Sequence, residues 1–181
     1  ALARTYALSG ARTLLIDADL RKPTVGLRMS CETSFGLLDY LVNWGTPNER
    51  LPKAMKDPLS HLLVLTAGER SPIPTDQLVN SRAFNTLIKQ LLPDLDVIII
   101  DSPPLLPVVD TRYLARHADA VVQVVRYGST TQSEAREAAA QLQEVMKPAA
   151  QRYGVLSQEE RGNGRYGYYS RYGSYYGHDD A

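Results

Sequence analysis

LLIDADLRKP (residues 14–23) and VIIIDSPP (residues 97–104) are each a short aliphatic run that stops on a carboxylate, Asp17 in the first and Asp101 in the second. Neither run alternates apolar with polar residues. Continuous aliphatic runs of this length are what strands covered by helices on both faces require. Proline closes both stretches, and SPPLLP after Asp101 can continue neither a strand nor a helix. The pair therefore predicts two buried strands that each deliver an aspartate to a sheet edge.

Working outward, strand and amphipathic helix alternate along the chain. Strands are predicted at 13–17, 62–65, 97–101 and 120–126, with a weak fifth at 155–157. Helices are predicted over 35–42, 76–92, 108–116 and 131–146. The last of these has Thr130 or Thr131 as its N-cap and Glu134 placed for a capping box. Residues 18–33 and 44–58 are expected as loop. This order predicts an α/β fold, a doubly wound parallel sheet. Right-handed crossovers would bring every strand's carboxyl end to one edge, where such sheets bind ligands. Asp17, Asp101 and the loop after Arg126 all fall there.

Bulk properties narrow the class. A chain of 181 residues holds one α/β domain with a real core. Twenty basic residues balance twenty acidic ones, so overall charge gives no argument for nucleic acid. The single cysteine, Cys31, excludes an intramolecular disulfide framework and fits a reducing compartment. No apolar run reaches the roughly 18 residues that span a bilayer, so the sequence is expected to be soluble and cytoplasmic. The opening ALARTYALSG begins with Ala and has the stripe of a helix closed by Gly10, but no N-cap and no strand before it. It predicts a truncated chain.

Several carboxylates are placed for chemistry. Asp101, at the tip of a buried strand, suits a Mg²⁺ contact beside phosphates, or simply caps the next turn. Asp17 and Asp19 are two apart in an extended segment, which puts both on one side. One suits a metal and the other the role of general base toward a hydroxyl. Arg21 and Lys22 follow, placed to meet phosphate charge or merely to neutralise an acidic turn. His61, His117 and His178 are scattered and give no zinc site.

The carboxyl-terminal segment RGNGRYGYYSRYGSYYGHDDA holds six of the eleven tyrosines: Tyr166, Tyr168, Tyr169, Tyr172, Tyr175 and Tyr176. Its Gly, Ser, Arg and Asn content with no aliphatic residue but the final alanine predicts a disordered tail over 161–181, after a domain spanning 1–160. Such a segment suits a phosphoacceptor cluster. It equally suits a self-associating or RNA-binding tether in which tyrosines stack and arginines contribute cation–π contacts.

In combination these stretches resemble the cytoplasmic kinase domain of the bacterial tyrosine kinases of exopolysaccharide and capsule synthesis, relatives of the Min/ParA-type deviant Walker ATPases. That family's second Walker motif, three aliphatics and D-x-D-x-R, is matched by Leu14-Leu15-Ile16-Asp17-Ala18-Asp19-Leu20-Arg21. Its Walker B motif is matched by Ile98-Ile99-Ile100-Asp101-Ser102-Pro103-Pro104. GLLDYL, the AGE segment, DSPPLLPVVD with Asp110, VVRYGSTT and the tyrosine-rich terminus follow the family's course.

The resemblance implies a P-loop-type sheet and transfer of the ATP γ-phosphoryl group to tyrosine with Mg²⁺. It makes Asp17 the general base and Asp19 a catalytic and Mg²⁺-supporting residue. Asp101 would serve Mg²⁺ and the nucleotide, and Arg21 and Arg126 the nucleotide. It makes Tyr166, Tyr168, Tyr169, Tyr172, Tyr175 and Tyr176 autophosphorylation sites, used in trans within a ring of subunits. A membrane activator, fused or separate, and a tyrosine phosphatase are the implied partners, at the inner face of the plasma membrane. The family's first Walker motif, a Gly-rich loop ending Gly-Lys-Ser/Thr, is absent from these 181 residues. The chain alone is therefore expected to be inactive, with two strands left unpaired where the loop's own strand belongs. Two rival readings are a non-kinase ATPase of the partitioning or septum-site type, and a non-catalytic interaction module with an adhesive tail.

Overall fold

A computed structural model describes residues 1–31, 35–68 and 73–158. The amino-terminal helix α1 (Leu2–Leu8) leads through Gly10, which adopts a left-handed φ of 94°, into strand β1 (Thr13–Asp17). Then follow α2 (Val25–Met29), α3 (Leu37–Asn43), β2 (Met55–Lys56) and β3 (Leu63–Leu65). Next come α4 (Thr75–Val79), α5 (Arg82–Leu91), a 3₁₀ turn (Leu92–Asp94) and β4 (Val97–Asp101). The chain continues through α6 (Asp110–Ala115), β5 (Ala120–Arg126), α7 (Gln132–Val145) and β6 (Gln151–Ser157).

The fold is doubly wound α/β, with β1 parallel to both β3 and β4. Alternate residues of β1 feed two apolar layers, as the period of two demands. Leu14 and Ile16 join Leu37, Tyr40, Leu41, Phe84 and Leu87, so α3 and α5 cover that face. Leu15 and Ile99 join Ala3, Ala7, Val25 and Val64, so α1 and α2 cover the other. Arg4 fastens α1 there through a two-pronged bond to buried Asp57, at 3.0 and 2.8 Å. Thr131 caps α7 by accepting from the Glu134 amide, while the Glu134 carboxylate accepts from the Thr131 amide.

Four differences from the expected elements have local causes. The helix expected over 76–92 divides into α4 and α5, because Ser81 stops one and caps the next by accepting from the Phe84 amide at 3.3 Å. A short helix, α2, forms inside the expected loop 18–33, its first amide, on Val25, donating to Asp17. The two-residue β2 forms inside the expected loop 44–58 and pairs antiparallel with β3. The weak fifth strand is longer than expected, because β6 pairs in register with all seven residues of β5.

The strands form two sheets. One has the order β2-β3-β1-β4 and the other is β5-β6. Among the described residues, therefore, β4 pairs only with β1, and β5 only with β6. Helix α7 lies over one side of β5, tied by Gln123 Nε2 donating to the Ala135 carbonyl at 2.9 Å. On the opposite side Val122 and Val124 are 43% and 63% exposed.

Candidate active site

Register, more than loop geometry, builds the site. β1 and β4 run parallel with Ile16 beside Ile100 and Asp17 beside Asp101, so both strands end on a carboxylate at the same level of the sheet. The ladder extends one step further, with the Ala18 amide donating to the Asp101 carbonyl at 2.8 Å. Two aspartates far apart in the sequence are thereby made neighbours at the carboxyl edge.

Their surroundings differ. Asp17 is fully buried. Its Oδ2 accepts from the Val25 amide at 2.9 Å, whereas its Oδ1 has no hydrogen-bond partner among the described residues. Burial pushes the Asp17 carboxyl up to about 6; the Val25 amide opposes this, and the charges of Asp101 and Asp19 add to it. Asp101 reaches solvent, yet its carboxyl also lies above the ordinary range, first through partial burial and then through Asp19, with Arg28 pulling the other way. The charge of Asp19 thus acts on both Asp17 and Asp101, and Arg28 of α2 is a cation near Asp101 that the motif reading did not single out. Asp19 is fixed by its own turn, its Oδ1 accepting from the amides of Arg21 at 3.3 Å and Lys22 at 3.0 Å.

Arg21 is paired within the fold. Its guanidinium donates to both oxygens of Asp110, at 3.3 and 2.9 Å, and Asp110 is 1% exposed. Burial alone would raise the Asp110 carboxyl; Arg21 and Thr75 outweigh it and hold it below the ordinary range. The sequence placed Asp110 on a helix but gave no sign of this partnership, which spans 89 positions. Arg126 ends β5, beside Ser157, and its guanidinium makes no ion pair among the described residues. Tyr166, Tyr168, Tyr169, Tyr172, Tyr175 and Tyr176 lie outside the described residues.

Among the described residues no three Asp, Glu, His or Cys side chains are grouped as a closed metal site. The donor set fits a Mg²⁺ ion nonetheless, because Mg²⁺ is commonly held by one or two carboxylates with phosphate oxygens and water completing the shell. The partnerless Oδ1 of Asp17 is the observation that makes the edge unfinished without a ligand. A shallow hollow lined by Phe35, Asp39, Asn43, Glu49 and Arg50 contains none of these carboxylates.

No protein-family model matches the chain. The tyrosine-protein kinase CpsD of Streptococcus pneumoniae is 32% identical over 177 residues, covering 96% of this chain and 74% of CpsD. The chain belongs to the bacterial tyrosine-protein kinase family. The family's tyrosine-protein kinase YwqD of Bacillus subtilis (strain 168) is 35% identical over 137 residues, or 76% of this chain. The chain spans 56% of the length of YwqD. Among solved structures, the VpsO kinase domain superposes with a TM-score of 0.74 at 31% identity, over 88% of this chain and 75% of that one. A plasmid partition protein from Borrelia burgdorferi shares the fold, at a TM-score of 0.64 and 13% identity over 94% and 77% of the two chains. Within this family, therefore, the doubly wound sheet is a P-loop-type scaffold. Among the described residues no helix is long and apolar enough to cross a membrane.

Proposed function

We propose that this chain supplies the carboxylate half of an ATP-dependent tyrosine kinase site acting in exopolysaccharide or capsule synthesis. The observation that carries the reading is the register of Asp17 with Asp101, together with the buried, partnerless Oδ1 of Asp17 and a carboxyl raised to about 6. A carboxylate with that affinity for protons is ionised at neutral pH and still basic enough to accept one. Asp17 takes the proton of an incoming tyrosine hydroxyl. The phenolic oxygen bonds to the γ-phosphorus, and the bond from that phosphorus to ADP breaks. Asp19 and Asp101 are the residues to hold Mg²⁺, which supplies neutralisation of phosphate charge.

The acceptors are Tyr166, Tyr168, Tyr169, Tyr172, Tyr175 and Tyr176, reached in trans in a ring of copies and cleared by a phosphatase. A membrane activator, fused or separate, holds the assembly at the inner face of the plasma membrane. Each phosphate adds about −1.5 to −2 charge to the tail, enough to release a docked segment by repulsion. The free edges of β4 and β5 are where we place the strand that carries a phosphate loop. Because the 181 residues contain no Gly-Lys-Ser/Thr loop, the chain by itself is inferred to transfer little or no phosphate.

The test is incubation with Mg-ATP followed by mass-spectrometric mapping. It is run on this chain, on a form preceded by a strand and phosphate loop of the family type, and on the Asp17→Asn variant of each. Phosphotyrosine in the extended form only, abolished by Asp17→Asn, is expected. No phosphate on Tyr166 to Tyr176 in either form would sink the kinase reading and favour the tail as a binding segment.

A further inference from the structure

The ion pair between the partly exposed Arg21 and the buried Asp110 has a place in the fold that a surface salt bridge lacks. Arg21 lies in the segment that leaves β1, Thr75 opens the helix reached from β3, and Asp110 opens the helix reached from β4. All three meet at one carboxylate. Arg21 Nε and Nη2 donate to Oδ1 and Oδ2 of Asp110, and Thr75 Oγ1 donates a short hydrogen bond to Oδ1. The adjoining Thr111 Oγ1 donates to the Pro103 carbonyl at 2.6 Å, which fastens the same helix start to the chain just beyond Asp101. Three connections that all leave the carboxyl edge of the sheet are pinned around Asp110.

Arg21 is also the hinge between this anchor and the site. While its side chain is held by Asp110, its backbone amide donates to Asp19 Oδ1, as does the next amide, of Lys22. The planar guanidinium grips both carboxylate oxygens, so it fixes direction as well as distance. A point charge such as lysine would neutralise Asp110 without setting the angle at which residue 21 leaves it.

We infer that Asp110 is a positioning residue of the carboxylate site, gripping Arg21 so that the turn of Arg21 and Lys22 holds the Asp19 carboxylate at the sheet edge. Arg21 is then spent on holding the loop and does not reach for phosphate. The inference rests on reading Asp19 as a working carboxylate, but its test requires neither nucleotide nor metal, so it can fail while kinase chemistry stands, and the reverse.

The experiment compares amide spectra and hydrogen exchange of the ¹⁵N-labelled 181-residue chain with those of three variants: Asp110→Asn, Arg21→Lys and Asp19→Asn. Asp19→Asn provides the reference for a weakened acceptor beneath the two amides. In Asp110→Asn and in Arg21→Lys, the Arg21 and Lys22 amides are expected to move toward their Asp19→Asn positions. They should also exchange about tenfold faster, while Leu14, Leu15 and Ile16 in β1 keep their rates. A brace between α4 and α6 with no part in the site would lower the melting temperature and leave those two amides where they were. That result overturns the inference. Should Asp110→Asn not fold, Arg21→Lys decides alone, since it alters the partly exposed end of the pair and keeps its charge.

Discussion

Asp17 sits under two opposing demands. Packing against β4 and the start of α2 removes its carboxylate from water, and among the described residues the Val25 amide meets Oδ2 while Oδ1 stays without a hydrogen-bond partner. A carboxyl raised from 3.8 to about 6 is destabilising to the fold when ionised. The native state holds the proton between roughly pH 4 and pH 6 while the unfolded chain has released it, so stability falls as pH rises through that window. Below it the contribution is fully present; above about 6 it is lost. Asp17→Asn removes the charge and retains a carbonyl oxygen for the Val25 amide. The variant is expected to match the unaltered chain in stability at pH 4 and to exceed it at pH 7.5 by on the order of 2 kcal/mol. Urea unfolding of both proteins at the two pH values checks this. Equal stabilities at pH 7.5 would mean that Asp17 is hydrated or paired in solution. If the proposed kinase chemistry holds, transfer rates should rise with pH through about 6, as the base ionises.

At the scale of elements, α3 approaches the chain just beyond β3 at backbone-to-backbone distance. The first two amides of α3, on Leu37 and Leu38, donate to the carbonyls of Thr66 and Ala67 at 2.9 and 2.7 Å. Helix and strand can approach so closely only because residue 36 has no side chain. A Cβ at Gly36 would lie 2.6 Å from both the Gly68 nitrogen and the Thr66 oxygen, which are backbone atoms and cannot swing away. Gly68 answers with a left-handed φ of 89°. Gly36→Ala must part α3 from β3 and is expected to cost about 1–3 kcal/mol, the usual range for overpacking. Gly154→Ala, where a Cβ meets nothing within 4 Å, is the matched control and should be nearly neutral. Denaturant midpoints of the two variants separate the cases; equal midpoints would show that α3 is held less closely than its hydrogen bonds indicate.

For the whole molecule, the division of the sheet is the main consequence. β1 is flanked on both sides and covered on both faces, whereas β5 and β6 form a two-stranded parallel ladder with one apolar face in water. Isolated two-stranded sheets are marginal, and parallel pairing is slightly weaker per residue than antiparallel. The β5-β6 unit leans on α7, and α7 reaches the rest of the fold through α6. Hydrogen exchange on the chain is expected to show β5 and β6 opening at least about tenfold more often than β1. Uniform protection across all strands would instead make the two sheets one cooperative unit. A strand filling the edges of β4 and β5 should raise the protection of β5 and β6 toward that of β1.

The sequence by itself determined the strands at 13–17, 97–101 and 120–126, the capped helix α7 and the two aspartates that end aliphatic runs, though only the run of β1 is buried while that of β4 is partly exposed beside its free edge. These depend on local chemistry: an aliphatic run, a breaker, or a Thr with a Glu three residues on carries its own conformational preference. The same local reading missed α2, whose first amide is satisfied by the side chain of Asp17 at the end of β1, and β2, which pairs with β3 beside it. Only the tertiary structure decided that Asp17 stands in register with Asp101, that Asp17 rather than Asp19 is the fully buried carboxylate, and that Arg21 is held by Asp110. Register and burial belong to pairs of segments far apart in the chain. Their free energies arise from neighbours and lost water that no single stretch of sequence contains.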